Sequence, residues 1–241
     1  MSLIFKLIRF LIPSSVVSKL KIKYQVPDME WSLKNMKSNG FNPSTILDIG
    51  AFEGEWTKMC SEIFPNANYL MFEAQESKSS KLQVLKSNRV DFHIGLLGPE
   101  SNQKSKFYIN ETVSSALPET EKSNQDFVEI QMYTVDEVVN LKALSKVDFI
   151  KLDVQGFELE VLKGASQTLA SAEVVLMEVS LIEINKGAPL INEVMAFMAN
   201  KGFICYDICS IVRRPLDKAL WQTDLIFVNQ SSALVKSKKY E

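Results

Sequence analysis

Apolar runs of five to seven residues alternate with stretches of helical periodicity along most of the chain. The runs are TILDI (45–49), NYLMFE (68–73), VDFHIG (90–95), VDFIKLD (147–153) and VVLMEV (174–179). Helical patterns cover 55–64, 76–87, 134–144, 156–171 and 189–200. Ahead of them, Met29, Leu33 and Met36 recur at helical spacing within 28–40, and Gly40 ends the pattern. Strands that alternate with helices predict an α/β fold, a mostly parallel sheet with helices on both faces. ILDI, YLMF and VVLM are nearly continuous in apolar residues, as strands covered on both faces should be.

Two regions break the alternation. KSKFYIN (104–110) and DFVEIQMYT (126–134) read as strands without an intervening helix, around a polar loop. GFICYDICS and TDLIFVN read as a hairpin-like return with a long connection. No internal repeat or low-complexity segment is present. The expected organisation is an N-terminal helical segment (1–42), one catalytic-sized domain (43–230) and a frayed tail (231–241).

Composition narrows the class. The 241 residues are 46% hydrophobic and 23% charged, with a net charge of −2, ordinary for one globular α/β domain. That balance gives no basic face for nucleic acid, so no nucleic-acid partner is expected. Cys60, Cys205 and Cys209 form no CxxC pair or Cys/His cluster. A disulfide framework and a structural zinc are therefore not expected, and a reducing, cytoplasmic setting is.

The first residues stand apart. In MSLIFKLIRFLIP, residues Leu3, Ile4, Leu7, Ile8 and Leu11 share one helical face. Lys6, Arg9, Lys19, Lys21 and Lys23 add positive charge, with no acid before Asp28. The run is too short to span a bilayer, which takes roughly 20 apolar residues, and lacks a signal-peptide cleavage site. Two readings stay open for residues 1–23: an interfacial helix at a membrane surface, or a helix packed on the domain or a second subunit.

Candidate chemistry begins at DIGAFEG (48–54). It follows a buried strand and opens a helix, the place where open α/β sheets bind ligands. Gly50 and Gly54 allow a tight turn and close approach of backbone to a ligand, and the helix N-terminus offers free N–H groups. Glu73 ends the next strand, 23 residues after Gly50, where a carboxylate can accept both hydroxyls of a ribose. An adenosine-containing cofactor follows. The loop lacks GxGxxG, and its acids Asp48, Glu53 and Glu55 suit a sulfonium and an ammonium better than a diphosphate. S-adenosylmethionine is thus favoured over a nicotinamide dinucleotide, with the loop's backbone amides expected to meet its methionine portion.

A second cluster is IKLDVQGFELEVLKGA (150–165). Lys151 and Asp153 end a buried strand, on the same rim as Asp48 and Glu73, and Gly156 and Glu158 follow. Charges on such a strand are costly unless paired or functional. A structural Lys151–Asp153 or Lys151–Glu158 ion pair is the competing reading.

DIGAFEG, FEAQ (72–75), FIKLDVQGFELEVLKGA (149–165), VVLMEVS (174–180) and TDLIFVN (223–229) together resemble the FkbM-type methyltransferases. The resemblance spans roughly residues 43–229, and its most specific element is Lys151, Asp153, Gly156 and Glu158. It implies a Rossmann-like class I methyltransferase fold with a seven-stranded sheet. It also implies S-adenosylmethionine-dependent O-methylation of sugar or secondary-metabolite hydroxyls. FEAQ and Phe52-Glu53 depart from the family's usual residues without removing a carboxylate. On this resemblance Asp48, Gly50, Ala51, Gly54, Glu73, Ala74, His93 and Gly95 are cofactor contacts. Ser114 and Ser115 match a Ser-Ser element that would bond the acceptor or the cofactor carboxylate, or belong to an ordinary loop.

Methyl transfer to an alcohol needs positioning and a base to take the hydroxyl proton. Asp153 is the expected base. Glu178 would orient the acceptor, with Lys151 and Glu158 supporting it or binding the acceptor. His93, the only histidine, is read as cofactor lining or packing. A variant with Mg²⁺ on Asp153 and Glu178 lacks a third protein ligand, so no metal is expected. Trp56 reads as core or sugar-site lining, and Trp221 as a further sugar-site candidate. The expected acceptor is a small molecule or glycan; a macrolide-like metabolite and a non-catalytic binding module are the alternatives.

Overall fold

The computed structural model describes residues 23–24, 26–110, 114–121 and 125–240. The expected interfacial segment, residues 1–23, lies outside them apart from Lys23. In chain order the elements are α1 (Met29–Ser38), β1 (Thr45–Ile49), α2 (Glu55–Ile63), β2 (Asn68–Glu73), α3 (Ser79–Leu85), β3 (Val90–Ile94), β4 (Leu96–Leu97), β5 (Lys104–Tyr108) and β6 (Phe127–Tyr133). They continue as α4 (Val135–Leu141), β7 (Phe149–Leu152), α5 (Glu158–Lys163), α6 (Ser166–Ser171), β8 (Val174–Ser180), α7 (Ile191–Asn200), β9 (Phe203–Ile208), β10 (Val212–Arg213) and β11 (Leu220–Asn229).

The main sheet runs β10-β11-β8-β7-β1-β2-β3, with β9 also paired to β11. The pairs β1–β2, β2–β3, β1–β7 and β7–β8 are parallel, and β11 is antiparallel to its neighbours. The fold is a Rossmann-like α/β sandwich, as expected. Its sheet has eight strands rather than seven. The extra one is β10, where the long connection after β9 folds back and Arg214 N–H meets the Ala219 carbonyl. That turn starts β11 at Leu220, three residues before TDLIFVN.

Period-two alternation decides which side each residue serves. Ile46, Phe149, Leu176 and Ile226 face α1 and α2, burying Leu33, Met36, Cys60 and Ile63 against them. Leu47, Ile49, Ile150, Leu152, Val175 and Met177 face the opposite side, which carries Val138, Val161, Leu169 and Val194. Both faces are covered, as the apolar runs require. The single helix expected over 156–171 is two, because the turn at Gly164 passes the chain at Gly98. A side-chain carbon on Gly164 would lie 2.1 Å from the Gly98 carbonyl oxygen. A second, three-stranded sheet, β4-β6-β5, follows β3 past Gly95 and flanks the carboxyl-terminal rim. Ser232, in the tail, donates to Glu173. The three cysteines are free thiols.

Candidate active site

Sheet register assembles the site. Asp48 sits opposite both Met71 and Lys151, and Lys151 opposite Leu176. Two residues further along each strand, the same register puts Glu73, Gly50, Asp153 and Glu178 in one row. Antiparallel β11 extends it with Asp224, opposite Glu178. Residues two apart share a face, so all five lie above the α1/α2 side of the sheet. The row crosses the carboxyl ends of the parallel strands, and strand order reverses between β1 and β7. Ligands of open α/β sheets bind at such a reversal.

Gly50 makes the row possible. Its φ is 78°, and a Cβ there would lie 1.8 Å from the Asp153 carbonyl oxygen. Only glycine fits that conformation and that approach. Asp48 and Lys151 form the layer beneath. Lys151 Nζ is 3.0 Å from Asp48 Oδ1, donates to the Gly50 carbonyl at 3.0 Å and lies 3.9 Å from Asp153 Oδ2. Asp48 Oδ2 accepts from Thr57 Oγ1 at 2.7 Å. Burial works against the ammonium's charge, but Asp48 and Asp153 outweigh it and hold the Lys151 pKa above its usual value. The nearest partner of Lys151 is therefore Asp48, and Glu158 is not among its ion pairs.

A cleft with about 670 Å³ of empty space opens over the row. Gly50, Phe52, Glu73, Ala74, Gln75, Gly95, Leu96, Phe107, Ser114, Asp153, Gln155 and Phe157 line it. Of the expected cofactor contacts, Gly50, Glu73, Ala74 and Gly95 are in that lining. Asp48 is fully buried beneath it, and Ala51 packs with Met71 and Leu82. Gly54 caps α2 at φ 81°, and the space of its missing side chain is filled by Leu85, Leu82 and Met71. His93 packs edge-on against Tyr133, with centroids 5.0 Å apart, and burial holds its pKa down.

Four of the loop's backbone amides, expected to meet the cofactor's methionine portion, have partners within the protein. Gly50 and Ala51 N–H both donate to the Phe72 carbonyl, Gly54 N–H to Ala51, and Phe52 N–H to Glu73 Oε2 at 2.8 Å. These four shape the turn. Glu73 Oε1 also accepts from Gln75 N–H at 2.9 Å. Burial raises the Glu73 pKa, opposed by these amides. Each carboxylate oxygen accepts more than one bond, so Glu73 keeps acceptor capacity towards the cleft.

The remaining acids divide by environment. Asp153 is partly exposed, its side chain 41% accessible. Glu158 is buried, and its Oε1 accepts from Val154 and Gly156 N–H at 3.0 and 3.1 Å. It braces the loop after β7, and burial pushes its pKa up to about 7. Burial, then the charges of Asp153, Asp224 and Glu158, push Glu178 up to about 9. Glu178 Oε2 accepts from Gln155 Nε2 at 3.1 Å and Gln222 Nε2 at 2.6 Å. Burial also raises Asp224. The Gln155 amide between Asp153 and Glu178 puts N–H donors where the considered Mg²⁺ would sit. Among the described residues no group of three or more His, Cys, Asp or Glu side chains could hold a metal ion.

Sequence reading missed Asp224, Gln155 and Gln222. An acid inside the apolar TDLIFVN was the available signal for Asp224. Ser114 lines the cleft, bonded to Asn110. Ser115 is buried, and its hydroxyl donates to the Gln155 carbonyl at 2.8 Å. Trp56 packs edge-on against Phe149 and donates to Met29 Sδ, partly buried against the core on the α1/α2 side. Trp221 is half-buried on β11.

A family model of the methyltransferase FkbM domain matches residues 48–205. No curated protein matches the sequence. Several solved structures are similar at low identity. A magnesium protoporphyrin IX methyltransferase from Synechocystis PCC 6803, with bound S-adenosylmethionine, is 10% identical over 83% of this chain and 79% of its own, with a TM-score of 0.46. A precorrin-6y C5,15-methyltransferase from Geobacter metallireducens GS-15 is 10% identical over 82% and 86%, with a TM-score of 0.46. An uncharacterized protein from Listeria monocytogenes serotype 4b is 9% identical over 87% and 70%, with a TM-score of 0.49.

Proposed function

The chain belongs to the FkbM methyltransferase family and uses S-adenosylmethionine, and from that premise we propose that it methylates a sugar hydroxyl of a glycan or polysaccharide. The observation that carries this reading is Asp153. Glu73 and Asp153 are the only ionisable side chains lining the cleft among the described residues, and Asp153 stands at the β7 end. An alcohol needs a base, and a carboxylate there supplies one. Gln75, Gln155 and Ser114 add amide and hydroxyl groups, and Phe107 and Phe157 add aromatic faces. Polar groups with aromatic faces suit the hydroxyls and C–H surface of a sugar.

The residues also fit the donor. S-adenosylmethionine supplies an electrophilic methyl carbon on a cationic sulfonium. A rim of acids is complementary to that charge. Glu73 would accept the ribose hydroxyls, with Ala74 and Gly95 lining the cleft beside it. Asp153 would take the hydroxyl proton as the acceptor oxygen bonds the methyl carbon and the carbon–sulfur bond breaks, leaving a neutral thioether. A general base of this kind contributes about 10²–10⁴-fold. Glu178, held neutral well above pH 7, would not compete for that proton.

One observation favours a more apolar acceptor. A groove lined by Phe107, Ile109, Val128, Ile130 and Tyr133 joins the cleft at Ala74, Gln75 and Gly95. It meets the cleft on the β2–β3 side, across β1 from Asp153, which is why the sugar reading is preferred.

Calorimetry with S-adenosylmethionine, S-adenosylhomocysteine and NADH, followed by transfer of labelled methyl to a panel of sugars, tests the proposal. Binding of the first two, and labelling of sugars that Asp153→Asn abolishes, is expected. Labelling of amines or apolar alcohols alone would overturn the acceptor class. Cofactor binding without transfer to any acceptor would favour the binding-module alternative.

A further inference from the structure

One amide ties the acids of the rim together. Gln155 Nε2 donates to Asp153 Oδ1 at 2.8 Å and to Glu178 Oε2 at 3.1 Å. The nitrogen carries two hydrogens, so both bonds form at once. Among the described residues this is the only side-chain hydrogen bond made to Asp153. Lys151, at 3.9 Å, is too far to fix the carboxylate's rotation.

The backbone holds Gln155 in place for this. Its φ is 55°, and Gly156 follows at φ 94°, where a side-chain carbon would lie 2.6 Å from the Ala188 methyl. A left-handed non-glycine residue persists when its surroundings over-determine it. Here Ser115 Oγ and Asn185 Nδ2 both donate to the Gln155 carbonyl, and Glu158 holds the amides of Val154 and Gly156 on either side. Ser115 and Asn185 come from two segments that bridge each other at Glu119 and Asn185. Lys186 N–H bonds the Pro118 carbonyl, and Thr120 N–H bonds that of Ile184. Three loops thus converge to fix one side-chain amide.

We propose that Gln155 is the positioning residue of the site: it locks the Asp153 carboxylate to the Glu178 carboxyl and so aims Asp153 at the acceptor hydroxyl. What the carboxylate is aimed at rests on the methyl-transfer reading above. With Oδ1 held by the amide, Oδ2 is the oxygen left for the incoming proton. When Glu178 loses its proton, Gln155 also offsets the like-charge repulsion that arises between the two carboxylates. Glu178 is faced by Asp153 just past β7, Asp224 from β11 and Glu158 from α5, with Lys151 as an opposing cation.

The test uses the full chain and no acceptor. Gln155→Met keeps length and removes both donors. Gln155→Asn suits a left-handed backbone but is one methylene short, so it decides the matter should the first variant unfold. Three-bond Hα–Hβ couplings report the Asp153 rotamer, and carbon NMR reports the Glu178 carboxyl titration. In the unmodified protein Asp153 should occupy one rotamer. In either folded variant it should average over several, and the Glu178 midpoint should rise by about one unit, because its anion loses a donor. A purely structural role for Gln155 would move neither. A single Asp153 rotamer and an unchanged Glu178 midpoint in a folded variant would overturn the proposal. Calorimetry of the unmodified chain with S-adenosylhomocysteine tests the methyl-donor reading separately, so either can fail alone.

Discussion

Two residues in the rim show how environment sets role. Gly50 and Gly40 both have positive φ, but a side-chain carbon on Gly40 would meet nothing within 4 Å, whereas on Gly50 it would enter the Asp153 carbonyl. Gly50→Ala is expected to cost more than about 3 kcal/mol and abolish S-adenosylhomocysteine binding. Gly40→Ala should cost only about 1 kcal/mol and leave binding intact. Denaturant titration and calorimetry on both variants check the contrast. Glu178 makes a prediction with a sign. Its pKa is raised from 4.5 to about 9, so between those values the folded chain keeps a proton that the unfolded chain releases. Stability from this group is therefore complete below about pH 4.5 and declines as pH rises towards 9. Glu158 acts in the same direction up to about pH 7. Urea midpoints at pH 6 and 8.5 should differ, and Glu178→Gln should shrink that difference. An unchanged difference would mean that Glu178 carries no burial cost. Asp48, Glu73 and Asp153 were legible as strand-end acids because buried apolar runs make a carboxylate conspicuous. The amides of Gln155 and Gln222 were not, since glutamine carries no such contrast.

At the scale of elements, the strands were more legible than the loops between them. Apolar continuity located β1, β2, β7 and β8, but β4 and β10 are two-residue pairings with no pattern of their own. The Ser114–Ser115 pair shows why loop roles resist sequence reading. The resemblance pointed both serines at a ligand, yet Ser115 turns inward because Tyr108 and Ser115 exchange backbone hydrogen bonds there. Its hydroxyl then receives Leu117 N–H and donates to Gln155. Ser115→Ala leaves a buried amide with one partner fewer and should cost about 1–2 kcal/mol. Ser114→Ala, on the half-buried cleft side, should cost less and is the better probe of ligand contact. Unfolding of the two variants side by side tests this; equal costs would mean that the clasp on Gln155 contributes nothing extra.

At the scale of the molecule, the site exists only through strand order. Asp153 and Glu73 are 80 positions apart in sequence, yet they lie on either side of Gly50 because β7 and β2 both pair with β1. Asp224 joins them only because β11 inserts antiparallel beside β8, an arrangement that apolar patterning alone does not specify. A ligand bridging the row would connect β2, β1 and β7, so its binding should appear as global stability. At a ligand concentration of 100 times its Kd the gain is about 2.7 kcal/mol. For a chain of this size that raises Tm by about 5–10 °C. S-adenosylmethionine should produce such a shift and NADH none. Glu73→Ala should reduce it sharply, since that carboxylate both faces the cleft and holds the Phe52 and Gln75 amides. A full shift in Glu73→Ala would separate the two roles: the turn would stand without its clasp, and the ribose would be held elsewhere along the rim.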